Sequence, residues 1–282
     1  MAVQSPRQRV VMTWAIVTAV AALGAGACGG SSPTGPSTPS TSALSVQGNP
    51  ESPQGATWTY RETMGGVTYD LQGILLKPAG SGPFPAVIIS HGVGGNVESY
   101  SRGVAQDMMP WGLVAIATNY THAGGVPIGA PGTASAQGSS EANVLRAHAV
   151  FGILRLLGYV DMSRVAAHGN SAGAFVTSAL LNAYPGDFRV ASHTAGGVLP
   201  SGVSGGAPNE NEVRAIRTPY QLHHGDADPV VPLAADQRLA DVLRTGGVSH
   251  ELHIYAGVGH AIPRDALLLG RIRAWYAAHG LF

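Results

Sequence analysis

The heptapeptide HGNSAGA, residues 168–174, sets one serine, Ser171, between Gly169 and Gly173, each two residues away. An apolar run precedes it and another follows, so the serine falls where a strand passes into a helix. A nucleophilic serine has to stand clear of the backbone on such a turn, and its flanking residues must be small because the chain folds back tightly there. The helix that starts at Ala172 points its first amides and its dipole at the place where negative charge develops in acyl transfer. The chemistry this spacing suits is nucleophilic attack on an acyl carbonyl, and it requires a base and a carboxylate to orient the base.

Eleven histidines are present, so position has to decide among them. His260 in YAGVGHAIP lies in a glycine-flanked loop between the last expected strand and the last helix, on the same sheet edge as Ser171. The carboxylate should leave the strand at 220–224, where HHGDADPVVP offers Asp226 and Asp228. Asp228 is preferred because it lies deeper in the loop and DPVVP can turn the chain into the next helix, which leaves Asp226 as a turn residue bonding nearby amides. For an oxyanion hole, the Ala172 amide is the first donor and Val93, in HGVGGN, supplies the second. Glycines around Val93 allow close backbone approach, and only its amide matters. HGVGGN lacks the Gly-Lys-Ser/Thr ending of a phosphate cradle, so nucleotide binding is not expected. His91 and Tyr120, beside the oxyanion loop and at a strand end, are candidates for the substrate pocket, with loop anchoring and core packing as their respective alternatives. His122, His148, His193 and His250 read as structural or surface residues, and Trp58, Trp111 and Trp275 as packing. HHGDAD has no second histidine cluster at ligand spacing, so no metal is expected.

The elements that must position these groups follow from the apolar pattern. TWTYRET and VTYDLQGILLKP, separated by MGG, read as an antiparallel hairpin. Residues 86–90 form an uninterrupted apolar run, as in a strand buried on both faces of a parallel sheet. Helices are expected at 98–109, 141–157, 172–182, 234–245 and 265–278, and strands at 113–118, 164–168, 189–194, 220–224 and 250–255. Such alternation predicts one α/β domain, 57–282, with a mostly parallel central sheet and helices on both faces. Segments 122–137 and 196–208 resist assignment; they leave the C-terminal ends of strands, where open α/β sheets bind ligands.

The 282 residues are 45% hydrophobic and 11% charged, enough for one sizeable core, and the formal net charge of zero gives no nucleic-acid footprint. Residues 1–27 read as an export signal: Arg7 and Arg9, a nearly continuous apolar run from Val10 to Leu23, then Ala-Gly-Ala before Cys28. Residues 28–56 have the composition of a flexible Gly/Ser/Thr/Pro tether. Cys28 is the only cysteine, so no internal disulfide can form. Its place resembles that of the lipidated cysteine of bacterial lipoproteins, which implies membrane attachment through Cys28, although Ala25 stands where that class has a larger aliphatic residue. Plain cleavage after Ala27 to a secreted or periplasmic protein, and a retained membrane helix, are the alternatives.

PAVIISHGVGG, AAHGNSAGA, HHGDADPVVP and GVGHAI, in that order, resemble the α/β-hydrolase superfamily, and within it the dienelactone-hydrolase-like and small serine esterase branch. The similarity covers Gly73 to the C-terminus. It implies a Ser171–His260–Asp228 triad, cleavage of a small-molecule ester through an acyl-enzyme, and no cofactor. Dienelactone hydrolases proper carry cysteine as nucleophile, so their own reaction is not carried over to Ser171. A peptidase or amidase of the same fold, and a non-catalytic cell-envelope binding protein, are the other function classes. Oligomeric state is not legible.

Overall fold

Six strands run parallel through the core of the sheet, and three more extend it on one edge. The computed structural model describes residues 43–128, 137–200 and 206–282. The strands are β1 (Leu44–Gly48), β2 (Ala56–Met64), β3 (Val67–Leu76), β4 (Phe84–Ser90), β5 (Val114–Thr118), β6 (Val160–Asn170), β7 (Val190–Thr194), β8 (Tyr220–Gly225) and β9 (His250–Tyr255). They form one sheet in the order β1-β2-β3-β5-β4-β6-β7-β8-β9, antiparallel from β1 to β5 and parallel from β5 onward. The helices are α1 (Arg102–Met108), α2 (Glu141–Leu156), α3 (Ala172–Ala183), α4 (Leu233–Thr245) and α5 (Ala266–Ala278).

Side-chain alternation divides the core. Ala86 and Ile88 of β4, with Val114 and Ile116 of β5, face the layer of α2, α3 and α4. Val87, Ile89, Ala115 and Ala117 face α1 and α5 on the other side. Both faces of the central strands are therefore apolar, which is why residues 86–90 lack a period of two. Each fully buried Val, Leu or Ile contributes roughly 1.5–3 kcal/mol. The α3 helix is buried along almost its whole length, Ala172 to Leu181, because it lies over the middle of the sheet.

Most expected elements stand within a few residues of their sequence bounds. The helix expected at 98–109 is a composite: a π-helical turn at Val97–Ser101, then α1, then a 3-10 turn at Met109–Trp111 where Pro110 enters. The tether expected over 28–56 is too long, because β1 lies inside it. Leu44 to Gly48 pair antiparallel with Tyr60 to Ala56, and the following loop is fastened by Lys77 N–H to the Pro50 carbonyl (2.8 Å) and Gln106 Nε2 to the Pro53 carbonyl (2.8 Å). This edge strand was invisible to patterning because only Leu44 of its five residues is even partly buried. Residues 1–42, with the expected signal and Cys28, lie outside the described residues. Among the described residues no helix is long and apolar enough to cross a membrane.

Candidate active site

Ser171 stands between the end of β6 and the start of α3 with φ 54° and ψ −121°, a left-handed conformation that costs a non-glycine residue about 1–3 kcal/mol. It is held there by its amide donating to the Thr194 carbonyl (3.0 Å) and by its carbonyl accepting from the amides of Ala174 (2.8 Å) and Phe175 (3.2 Å). Both flanking glycines are required by close approach. A Cβ on Gly169 would lie 2.3 Å from the Gly173 carbonyl oxygen, and one on Gly173 would lie 2.1 Å from that of Ser90. The elbow thus packs α3 directly against the ends of β4 and β6.

His260 Nε2 lies 2.9 Å from Ser171 Oγ, and its Nδ1 lies 2.8 Å from Asp228 Oδ2. The His260 side chain is 26% exposed and the Asp228 side chain fully buried, so the imidazole can reach a ligand while the carboxylate is sealed from water. Asp228 Oδ1 accepts from the amides of Val230 (2.8 Å) and Val231 (3.0 Å), which fixes its rotamer. Asp226 is the turn residue: its Oδ1 accepts from Gly257 N–H at 2.7 Å. That bond, with Ala227 N–H to the Val258 carbonyl (3.1 Å), ties the aspartate loop to the histidine loop. Gly225 permits the approach, since a Cβ there would lie 2.1 Å from the Val258 carbonyl oxygen.

The loop after β4 closes the other side. A Cβ on Gly92 would lie 3.1 Å from Ser171 Cβ, so the backbone leading to Val93 passes directly beside the serine. Ala172 opens α3, where the first amides have no intrahelical partner. Among the described residues no backbone carbonyl accepts from Val93 N–H or Ala172 N–H, which leaves both donors free for a ligand.

His91 and Tyr120 are not pocket residues. Both are fully buried, so neither side chain reaches a substrate. His91 Nε2 accepts from Tyr120 N–H at 3.2 Å, which leaves its proton on Nδ1 to be donated to the Gly92 carbonyl at 2.9 Å. His122 Nε2 in turn donates to the His91 carbonyl (3.0 Å), and Gly94 N–H to the His122 carbonyl (3.1 Å). Burial pushes His91 down to about 4, only partly offset by the Gly92 carbonyl, and it stays neutral as this bonding requires. Tyr120 bonds Ser90 Oγ (2.7 Å), and burial raises its hydroxyl well above the ordinary value. Both residues hold the loop that carries Val93 in place from below.

The two unassigned loops are described in part. Just past the end of the first, Ser139 N–H donates to the Gly206 carbonyl of the second at 2.7 Å. Among the described residues no cluster of three or more His, Cys, Asp or Glu is placed to hold a metal. Two residues escaped the sequence reading, Asp236 and His224: with His193, read from the sequence as structural or surface, they form a fully buried acid–imidazole array behind Asp228. Its signal was present, since Asp236 falls on the apolar stripe of α4 with Leu239 and Leu243.

A model of the dienelactone hydrolase family matches residues 71–267. No curated protein sequence matches the chain at a significant level. Among solved structures, an S-formylglutathione hydrolase from Agrobacterium tumefaciens superposes with TM-score 0.61 at 15% identity, covering 83% of this chain and 98% of that one. A puromycin-hydrolyzing peptidase of Mycobacterium tuberculosis gives TM-score 0.61 at 20% identity, with 85% and 46% covered. Dipeptidyl peptidase 4 of Porphyromonas gingivalis gives 0.62 at 17%, with 78% and 35% covered. The chain therefore spans less than half the length of either peptidase, and at these identities the likeness is one of fold.

Proposed function

Because this chain belongs to the dienelactone hydrolase family, we propose that it is a serine carboxylesterase whose catalytic triad is Ser171, His260 and Asp228. The observation that carries the reading is the unbroken line from Ser171 Oγ through His260 to Asp228, at 2.9 and 2.8 Å, built on a strained serine elbow.

In this reading Ser171 Oγ attacks the ester carbonyl carbon while His260 Nε2 takes its proton. The carbonyl oxygen becomes an oxyanion received by the Val93 and Ala172 amides. His260 then returns the proton to the leaving alkoxide, releasing the alcohol and leaving an acyl-serine. Water repeats the sequence, His260 taking its proton as it attacks, and the acid leaves as Ser171 recovers its hydrogen. Asp228 keeps Nδ1 of His260 protonated and stabilises the imidazolium in both halves. Exposed Val93 and Val230, on the oxyanion and aspartate loops, offer apolar surface suited to an acyl or alcohol group.

The test is hydrolysis of p-nitrophenyl esters of increasing acyl length beside aminoacyl p-nitroanilides, with Ser171→Ala in parallel. Ester turnover that vanishes in Ser171→Ala is expected. Turnover of the anilides alone would replace esterase by peptidase, and ester turnover surviving in Ser171→Ala would overturn the nucleophile. For location, the apolar run followed by Ala-Gly-Ala and Cys28 supports export and lipid attachment at Cys28. Intact mass of membrane-extracted protein should show a diacylglyceryl adduct on an N-terminal Cys28; an unmodified cysteine would overturn this.

A further inference from the structure

Behind Asp228 the protein buries a second carboxylate that the triad does not include. Asp236, in the first turn of α4, is fully buried; its Oδ2 lies 2.7 Å from His224 Nδ1 and its Oδ1 lies 2.7 Å from His193 Nε2. His224 Nε2 lies 2.9 Å from the Val231 carbonyl oxygen and 3.5 Å from Asp228 Oδ2. His193 Nδ1 faces the Tyr220 hydroxyl at 2.6 Å, and that hydroxyl faces Ser178 Oγ at 3.1 Å.

The protons can be placed by what each neighbour is able to accept. A carbonyl only accepts, so His224 Nε2 carries a hydrogen for Val231. A carboxylate only accepts, so with Asp236 ionised His224 Nδ1 carries one too, and the ring is an imidazolium. His193 donates from Nε2 to Asp236, and its Nδ1 faces the Tyr220 hydroxyl, which can either donate or accept. The electrostatics agree with this placement. Burial alone would push His224 down, but its hydrogen bond to Asp236 and the charge of that carboxylate lift it above the ordinary value, helped by the Val231 carbonyl and Asp228. Burial would raise Asp236, yet His193 and His224 hold it down to about 2.

We propose that His224, clamped as a cation between Asp236 and the Val231 carbonyl, is a positioning residue that holds the Asp228 loop and keeps His260 in its neutral, proton-accepting form at lower pH. The inference rests on the triad reading above. Two contacts carry it. Val231 is gripped at both ends, its carbonyl by His224 and its amide by Asp228 Oδ1. The cation also lies beside the same Asp228 oxygen that His260 uses, so it opposes a second positive charge on His260. The charged or titratable groups around His224 are Asp236 from α4, Asp228 from the loop after β8, His193 from β7 through Asp236, and His260 through Asp228. Removing the cation should raise the His260 titration midpoint by about 1 pH unit, the scale of one nearby charge.

The experiment is nitrogen-15 NMR of histidine-labelled full-length protein, comparing wild type with His224→Gln, His224→Asn and Asp236→Asn. Gln reproduces the Nε2 donor and Asn the Nδ1 donor, while neither carries charge. Expected are a doubly protonated His224 at pH 7.5 in wild type and a His260 midpoint raised by about 1 unit in both His224 variants. The acid limb of Ser171 labelling by a fluorophosphonate should move up by the same amount. A neutral wild-type His224 at pH 7.5, an unmoved His260, or a shift in only one of the two variants would overturn the proposal. The His224 pair carries the test alone if Asp236→Asn fails to fold. Absence of labelling in wild type at every pH, with His260 still shifting as expected, would remove the esterase reading and leave the cation's effect on His260 standing.

Discussion

Lowering the pH from 7 to 5 should destabilise this protein through histidines buried in their neutral form, and His91 is the one whose contribution can be isolated. It is fully buried, and burial pushes it from 6.5 down to about 4. With the folded value below the unfolded one, the unfolded chain takes the extra proton. The stabilisation is therefore complete above about pH 6.5 and is lost as pH falls toward 4. At pH 5 the unfolded imidazole lies 1.5 units below its midpoint while the folded one is still neutral, a cost of about 2 kcal/mol at 1.36 kcal/mol per unit. Protonation also turns Nε2 from the acceptor of the Tyr120 amide into a donor facing a donor, so the strand that ends in the Val93 loop is where the structure gives way. His91→Gln removes the titration. It should be less stable at pH 7 by about 1–3 kcal/mol through lost buried hydrogen bonds, but its further loss between pH 7 and 5 should be smaller than that of wild type by about 2 kcal/mol. Urea unfolding at pH 7.0 and 5.0 measures both, provided the slope is unchanged. Equal losses in wild type and variant would refute the placement of His91 as a buried neutral ring.

Asp228→Asn should lower kcat on esters by about 10⁴-fold while Asp226→Asn stays within a few-fold, since only Asp228 orients His260; steady-state rates on the two variants decide it. Val93→Pro, which deletes the amide, should reduce kcat by about 10²–10³-fold, whereas Val93→Ala, which keeps the amide and trims only the apolar surface offered to the substrate, should leave kcat nearly unchanged and act on KM. Gly173→Ala forces a methyl to within 2.1 Å of the Ser90 carbonyl oxygen and should cost about 3 kcal/mol in thermal or urea unfolding, against less than about 0.5 for the exposed Val230→Ala.

The serine elbow was legible because its requirement is local: two glycines, a strand before and a helix after. The same holds for the preference of Asp228 over Asp226, which followed from how far each lies into its loop. For His91 and Tyr120 the sequence left a pocket role open beside loop anchoring and core packing, and the structure gives the latter two. A strand end on the ligand-binding edge of a sheet fixes where a side chain begins but not which way it points, and here both side chains turn under the loop rather than into the site. β1 was missed because an exposed edge strand carries no apolar alternation to read.

Asp236 is the most instructive omission, since it joins elements that no local pattern connects. A carboxylate on the apolar stripe of α4 is costly unless something charged or hydrogen-bonding meets it in the core. Its partners come from β7 and β8, 43 and 12 residues away in sequence. The pair His223-His224 lies on β8 just before the Asp228 loop, yet the two rings leave opposite faces of the strand. His223 goes to Tyr255 and Gln221, and His224 goes to Asp236. Strand alternation makes that division necessary. A buried acid on a helix stripe, read together with a histidine on the strand face that the helix covers, is thus the sequence signal for an acid–imidazole pair beneath the Asp228 loop. In this chain the face is set by Leu222, which packs in the same core layer as Leu239 and Leu243 of α4, two residues before His224.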